Sequence, residues 1–532
     1  MNIFQQMLSS FNQKQKKDTT SEELIPNIVG NKNLSEKLSE NTTIIEETFG
    51  NTVDFSSEKI RVGNQEGTIF YLGSMIAKKQ LTDHLVLPLS KATLHDIEVV
   101  SETDLEALRL KLFSGISHNY VTKLHEVVWQ MLSGFVVMIV DNCQTALSIE
   151  IGDIEYRSIV EPSTQTILRG PKDGFTESIQ TNISLIRRRI KNPRLQFEEY
   201  VVGKDSRTTV TLSYVDGIVN QDILNELRTR IRKIKVTGIY DSGNIEEYIQ
   251  DKSFTPFPLI FNTERPDTTA ANLLEGKIVI LVDGSPFVLT LPAVLPDFLE
   301  SAEDYYQPFF MGSFLRLIRY LAFMLSLLLP SLYVAITTFH HELMPTQLLI
   351  SVQAQREGVP FPAVVEVLIM EITFEVLREA GIRMPRAVGQ TVSIVGALVI
   401  GQAAVEAGLV SNVLVIIVAL TAIASFVSPI YNFSISTRLL RFLFIFAASI
   451  LGLYGVLLLL IVMVVHLVSL RSFGVPYLAP VAPFIIESQK DVMIRFPIWA
   501  NKERPKYLQP EAPLKVENQP PPSPPKQEDD SS

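Results

Sequence analysis

From Ser313 to about Ile486 the chain carries one uncharged apolar run after another, more than a soluble domain could bury. Residues 320–339, 388–405, 407–437 and 442–465 contain no charged side chain, and about 20 apolar residues suffice to cross a bilayer as a helix. Four crossings follow from length alone. A fifth stretch, 361–382, is as long but carries Glu366, Glu371, Glu375, Arg378 and Glu379, so its position decides the architecture.

The rest of the chain is less apolar, which points to a soluble part followed by a membrane part. A net charge of −10 offers nothing to a nucleic acid. The single cysteine, Cys143, rules out an internal disulfide and fits a reducing cytosol. Residues 1–15 lack the apolar core and small-residue cleavage site of a signal peptide, so residues 1–312 are expected on the cytoplasmic side.

Residues 1–60 mix Gln, Asn, Lys, Glu, Ser and Thr with few aromatics and read as a flexible arm with a short helix near 34–38. Residues 61–150 and 151–312 read as two α/β subdomains. Strands are expected at 67–72, 135–140, 196–202 and 208–215, and helices at 105–112, 123–132, 177–190 and 221–231. An internal echo relates the two halves. Leu132-Ser133-Gly134-Phe135-Val136-Val137-Met138-Ile139-Val140-Asp141 aligns without gaps on Leu274-Glu275-Gly276-Lys277-Ile278-Val279-Ile280-Leu281-Val282-Asp283. Each reads as a helix, a glycine C-cap, a strand buried on both faces and an aspartate turn. Asp141 and Asp283 are expected as turn formers rather than catalytic acids. The run Arg187-Arg188-Arg189 is expected as a solvated helix face or in ion pairs with Glu155, Glu161 or Glu177, with phosphate or lipid headgroup binding as the sharper alternative.

Arginines mark the cytoplasmic side of membrane helices. Arg316 and Arg319, after an aromatic-rich stretch, send the first span outward. Placing Arg383, Arg386, Arg438 and Arg441 inside then requires 361–382 to cross. Spans are expected near 314–339, 361–382, 388–407, 411–433 and 439–470. The Pro-broken stretch 472–486 makes a re-entrant or short return, and residues 487–532 form a disordered Pro-rich tail. The expected fold is multidomain: a cytoplasmic α/β domain with two related subdomains, followed by an α-helical polytopic membrane domain.

On a helical wheel Glu371, Glu375, Arg378 and Glu379 share one face, and Glu366 points elsewhere. The spacing leaves two readings open. The stripe lines an ion pathway, in which several copies around an axis supply an acidic ring; or the helix lies in the interface with its charges solvated. Ala397 with Gly401, and Ala404 with Gly408, would permit close helix packing between copies. Gln390, Gln402 and Glu406 are pore or subunit contacts, or satisfied interhelical polar groups. His340 and His341 point in different directions on a helix end and make no metal site. No P-loop, nucleophile elbow, zinc spacing or dinucleotide turn occurs, which argues against an enzyme and gives no cofactor.

Several runs carry a family resemblance. Thr337-Thr338-Phe339-His340, Arg356-Glu357-Gly358-Val359-Pro360-Phe361-Pro362, Glu375-Val376-Leu377-Arg378-Glu379-Ala380-Gly381 and Ser469-Leu470-Arg471-Ser472-Phe473-Gly474-Val475-Pro476-Tyr477 resemble the A subunit of GerA-type spore germinant receptors. The similarity extends from about residue 80 to 497. It implies a multi-pass protein of the spore inner membrane that works with a transporter-like B subunit and a lipoprotein C subunit to start germination. It further implies that A subunits oligomerise into an ion-conducting path. The alternatives are a non-conducting scaffold or signal relay of the same complex, or a germination paralogue that does not sense nutrient directly.

Overall fold

The computed structural model describes residues 29–62, 65–91, 102–112, 117–151, 160–384, 399–515 and 522. Two compact units divide the chain: Met1–Arg157 with Ile183–Glu198, and Ser158–Asn182 with Glu199–Ser532.

The first unit contains helix α1 (Leu38–Phe49), strands β1 (Phe55–Val62), β2 (Gln65–Leu72) and β3 (His118–Val121), helix α2 (Leu124–Leu132), and strands β4 (Phe135–Val140) and β5 (Ala146–Glu150). The sheet order is β1-β2-β4-β5-β3, with antiparallel pairing throughout. The uninterrupted apolar run of β4 suits a strand covered on both faces. Val136 and Met138 pack into one core, Val137 and Ile139 into another. Helix α1 buries Ile45 and Phe49 in the second of these cores. The expected flexible arm therefore gives way to folded chain earlier than its composition suggested.

Helix α3 (Ile179–Arg189) leads into the second set: β6 (Leu195–Val202), β7 (Thr208–Val215), α4 (Gln221–Lys233), α5 (Ser242–Ile249), β8 (Phe261–Thr263), α6 (Pro266–Glu275), β9 (Ile278–Val282) and β10 (Val288–Leu291). The order β6-β7-β9-β10-β8 repeats the first sheet strand for strand. The echoed segments occupy its corresponding positions, α2-β4 and α6-β9. The repeat extends to polar detail. Asn41 brackets Ser35 through its backbone N–H and carbonyl, and Asn182 brackets Thr176 in the same way. Asp141 accepts from the N–H of Leu38 at 3.0 Å, and Asp283 from that of Ile179 at 3.3 Å. Both aspartates thus cap the first residue of a distant helix, where free N–H groups need acceptors. The sequence reading of a simple turn missed this role. Glycine ends the echoed helices in both halves, with Gly134 at φ 91° and Gly276 at φ 100°.

The basic run also departs from expectation. Arg187 is fully buried in the first unit, with Nη2 and Nε at 2.8 and 3.0 Å from the two carboxylate oxygens of Asp54. Thr52 and Ser74 donate to the same carboxylate.

The second unit continues into a helical block: α7 (Phe309–Thr338), α8 (Thr346–Arg356), α9 (Ala363–Arg383), α10 (Asn412–Phe426) and α11 (Tyr431–Ser469). Helices α7 and α11 are long and apolar enough to cross a membrane. Helix α11 is folded back on itself. The Phe257 ring lies 6.4 Å from both Phe433 and His466, which a straight helix at about 1.5 Å per residue would hold about 50 Å apart. The reversal is at Gly452, where φ is 60° and ψ −140°. Expected spans at 411–433 and 439–470 are therefore replaced by Asn412–Phe426 and a helical hairpin. Each arm of the hairpin is about 25–30 Å long.

The stretch 472–486 does not pass back along the bundle. It opens as a short hairpin pairing Arg471–Ser472 with Val475–Pro476, and Ser472 donates to the carbonyl of Leu259 at 2.7 Å. Nor is the whole of 487–532 free. Arg504 donates to the carbonyl of Leu274 at 2.7 Å, Lys515 pairs with Glu275 at 2.7 Å, and the N–H of Glu511 reaches the carbonyl of Ile218 at 3.1 Å. The chain to Lys515 is thus seated on the second α/β subdomain.

Candidate functional site

The end of the helical block nearest the second subdomain is held by an arginine node. Arg316 Nη1 lies 3.0 Å from Asp491 and 3.3 Å from Glu300, and its Nε lies 3.2 Å from Asp304. Arg319 also pairs with Asp304. Burial, with the carboxylates of Asp491, Asp297 and Glu275 nearby, outweighs Arg316 and raises Glu300 well above the usual carboxylate range. Tyr305 donates to Asp491 at 2.9 Å. The node fixes the near end of α7.

From there the direction of each helix can be read. At the far end, the Tyr333 and Ser411 hydroxyls are 3.2 Å apart, and Glu366 accepts from the N–H of Ser411 at 3.2 Å. Nearer the node, Arg378 donates to Ser425 at 2.8 Å. Helices α9 and α10 therefore both run from far to near. Residues 384–411 connect the near end of one to the far end of the other, and residues 385–398 within them lie outside the described set. A Cβ added at Gly452 would fall beside Phe339 and His340, which puts the tip of the α11 hairpin at the far end. The described order is α7 away, α9 back, α10 back, and the two arms of α11 away and back.

Along α9 the carboxylates form a ladder. Glu366 faces Arg356 at 3.3 Å. Glu371 meets Arg441 at 2.6 Å, with both side chains 2 % exposed. Glu375 meets Arg438 at 2.8 Å and Arg378 at 3.4 Å. Arg441 also donates to the carbonyl of Ser326 at 2.7 Å. Spacings of four on α9 and three on α11 place the two pairs in antiparallel register, because both are one turn of helix. Among the described residues, Glu371 Oε1 and Arg441 Nη2 are buried without a hydrogen bond. The most buried pair is thus only half satisfied, a costly condition in an apolar setting.

The sequence-derived stripe is partly assembled here. Glu371, Glu375 and Arg378 join the ladder. Glu379 stays exposed and pairs with Arg383 at 2.6 Å. Glu366, read as pointing elsewhere, is fully buried in the same block. Gln402 donates to Glu406 at 2.9 Å on an exposed helical turn, and Gln390 lies outside the described residues. Sequence reasoning missed Arg356, Arg438 and Arg441 as partners. The signal was present in the matched spacing of Glu371 and Glu375 with Arg438 and Arg441. Among the described residues no group of His, Cys, Asp and Glu could hold a metal ion.

The chain matches the Bacillus/Clostridium GerA spore germination protein family over residues 43–507. It is 46 % identical over 482 residues to Spore germination protein KA of Bacillus subtilis strain 168, covering 89 % of this chain and 87 % of that one. It is 43 % identical over 474 residues to the uncharacterized membrane protein YfkQ of the same organism, covering 89 % and 91 %. The crystal structure of the N-terminal domain of the A subunit of the Bacillus megaterium spore germinant receptor GerK3 is 33 % identical, with a TM-score of 0.40, and covers 50 % of this chain and 98 % of that one. The chain belongs to the GerA family of spore germination proteins, as an A subunit of the germinant receptor type.

Proposed function

We propose that this A subunit is embedded in the spore inner membrane, where several copies form a nutrient-gated cation path together with a transporter-like B subunit and a lipoprotein C subunit. The observation that carries the reading is the charge ladder. Ionisable groups inside an apolar helical block are costly and characteristically mark ion pathways or moving elements. Here three carboxylates on one helix meet arginines from α8 and α11, and the central pair keeps unused hydrogen-bonding capacity. The ladder holds the resting state, and gating exchanges its partners. The second arm of α11 ends on the side where α7 begins, which agrees with a tail seated on the α/β domain, and that side is the cytoplasmic one. The name of the relative YfkQ, a membrane protein, supports embedding in a membrane.

A second reading, a non-conducting scaffold or relay, is favoured by one fact: every rung already meets an arginine of its own chain. Glu375→Gln separates the two. In nutrient-exposed spores with normal levels of the variant, a conducting role gives slowed or ion-shifted potassium release. A scaffold role leaves release unchanged.

A further inference from the structure

Between the α11 hairpin and the seated tail, Phe484, Ile486, Met493, Ile494, Phe496 and Ile498 are 45–71 % exposed. Their neighbours face inward. Val492 and Arg495 are buried. The N–H of Arg495 donates to the Ser313 hydroxyl at 3.1 Å, and the same hydroxyl donates to the Arg495 carbonyl at 2.9 Å. Arg316 donates to the carbonyls of Asp491 at 2.7 Å and Val492 at 3.2 Å. This stretch is therefore laid along the first turns of α7, with one side fastened and the other open. On that same part of α7, Phe310 and Phe314 are 74 % and 59 % exposed.

A set of open aromatic and branched side chains this dense marks a contact surface rather than a water-facing loop. Two features select the kind of surface. It is fastened at the base of a crossing helix, where the headgroup layer lies, and aromatics at that level are the usual interfacial anchors. Cations also outnumber carboxylates across residues 481–506, with Lys490 and Lys502 interspersed. That charge suits the anionic cytoplasmic leaflet. We propose that residues 484–498 form a collar immersed in the headgroup layer of the bilayer that α7 crosses, its apolar side chains among the upper acyl carbons and Lys490, with Lys502 just beyond it, toward anionic lipid. The collar rests on the membrane reading of the helical block. Because Arg316 and Ser313 bind its backbone, it ties the base of α7 to the lipid surface.

The test uses the full chain with Cys143→Ser, reconstituted in vesicles of phosphatidylcholine and phosphatidylglycerol. An environment-sensitive fluorophore is placed at Ile494→Cys or, as a control within the bilayer, at Val462→Cys, where the side chain is 54 % exposed on the returning arm of α11. The collar predicts blue-shifted emission at position 494 that is lost with shallow nitroxide lipid and retained in iodide. Loss in iodide, with position 462 dimmed by deep nitroxide, overturns the collar and leaves the membrane reading standing. Protection of position 494 from both quenchers also overturns it, in favour of a protein cover such as a second copy. Failure of deep nitroxide to dim position 462 overturns the membrane reading and the collar with it.

Discussion

Arg441 Nη1 stands 2.6 Å from Glu371 Oε2 in the middle of the helical block, both side chains almost wholly shielded from solvent. Removing one member leaves the other charged, buried and unmatched. Such losses cost about 3–5 kcal/mol. Glu371→Gln and Arg441→Leu, made singly, are each expected to reduce the amount of protein in spore membranes. Immunoblots of membrane fractions check this, and wild-type levels in both would mean the pair contributes little to folding.

The turn at Gly452 is open to a sharper test. Its φ of +60° is one that L side chains rarely adopt, and an added Cβ would come within 2.7 Å of His340 Cε1 and 2.9 Å of Phe339 Cβ. Gly452→Ala is expected to cost about 1–3 kcal/mol from the backbone alone, and more from the contacts. The same hairpin predicts sidedness. Cysteines at Glu342 and Arg471 react with impermeant reagent from opposite faces of the membrane. Labelling of both from one face would contradict the reversal.

Acid should loosen the first unit through Asp54. Burial opposes its charge, but Arg187 with the hydroxyls of Thr52 and Ser74 outweighs burial and holds the carboxyl below its ordinary value of 3.8. A carboxyl depressed on folding contributes stability above its unfolded value and loses it as pH falls through the folded one. Melting of the full chain in detergent should therefore lose this contribution progressively below about pH 4. Asp54→Asn should abolish that part of the acid dependence and cost about 3–5 kcal/mol at neutral pH, because Arg187 is left buried without its counter-charge. An unchanged acid profile in the variant would show that Asp54 does not set it.

How far the sequence discloses this arrangement differs from element to element. Period-two and continuous apolar runs locate β4, β7 and β9, and the gapless echo from Leu132 to Asp141 marks two segments that take the same place in two sheets. Those signals are local. The capping by Asp141 and Asp283 is not, since each acts on a helix about a hundred residues upstream. Arg438 and Arg441 follow the rule that arginines mark a membrane side, and that reading hides their pairing with α9. Gly452 is one small residue in a long apolar run, so nothing in composition distinguishes a reversal from an ordinary helical glycine. The seated tail is held largely through backbone carbonyls, as with Arg504 on Leu274. Such contacts leave no compositional trace.

The central claim is that the ladder serves conduction and does more than hold the bundle together. Replacing a buried ion pair by two apolar residues is often neutral or stabilising, whereas breaking it from one side is not. The measurement that tests the claim most directly is potassium release from nutrient-exposed spores carrying Glu371→Leu together with Arg441→Leu. We predict that the double variant accumulates where either single variant does not, and that its potassium release stays impaired. Accumulation accompanied by wild-type release would contradict the account and leave Glu371 and Arg441 a structural pair.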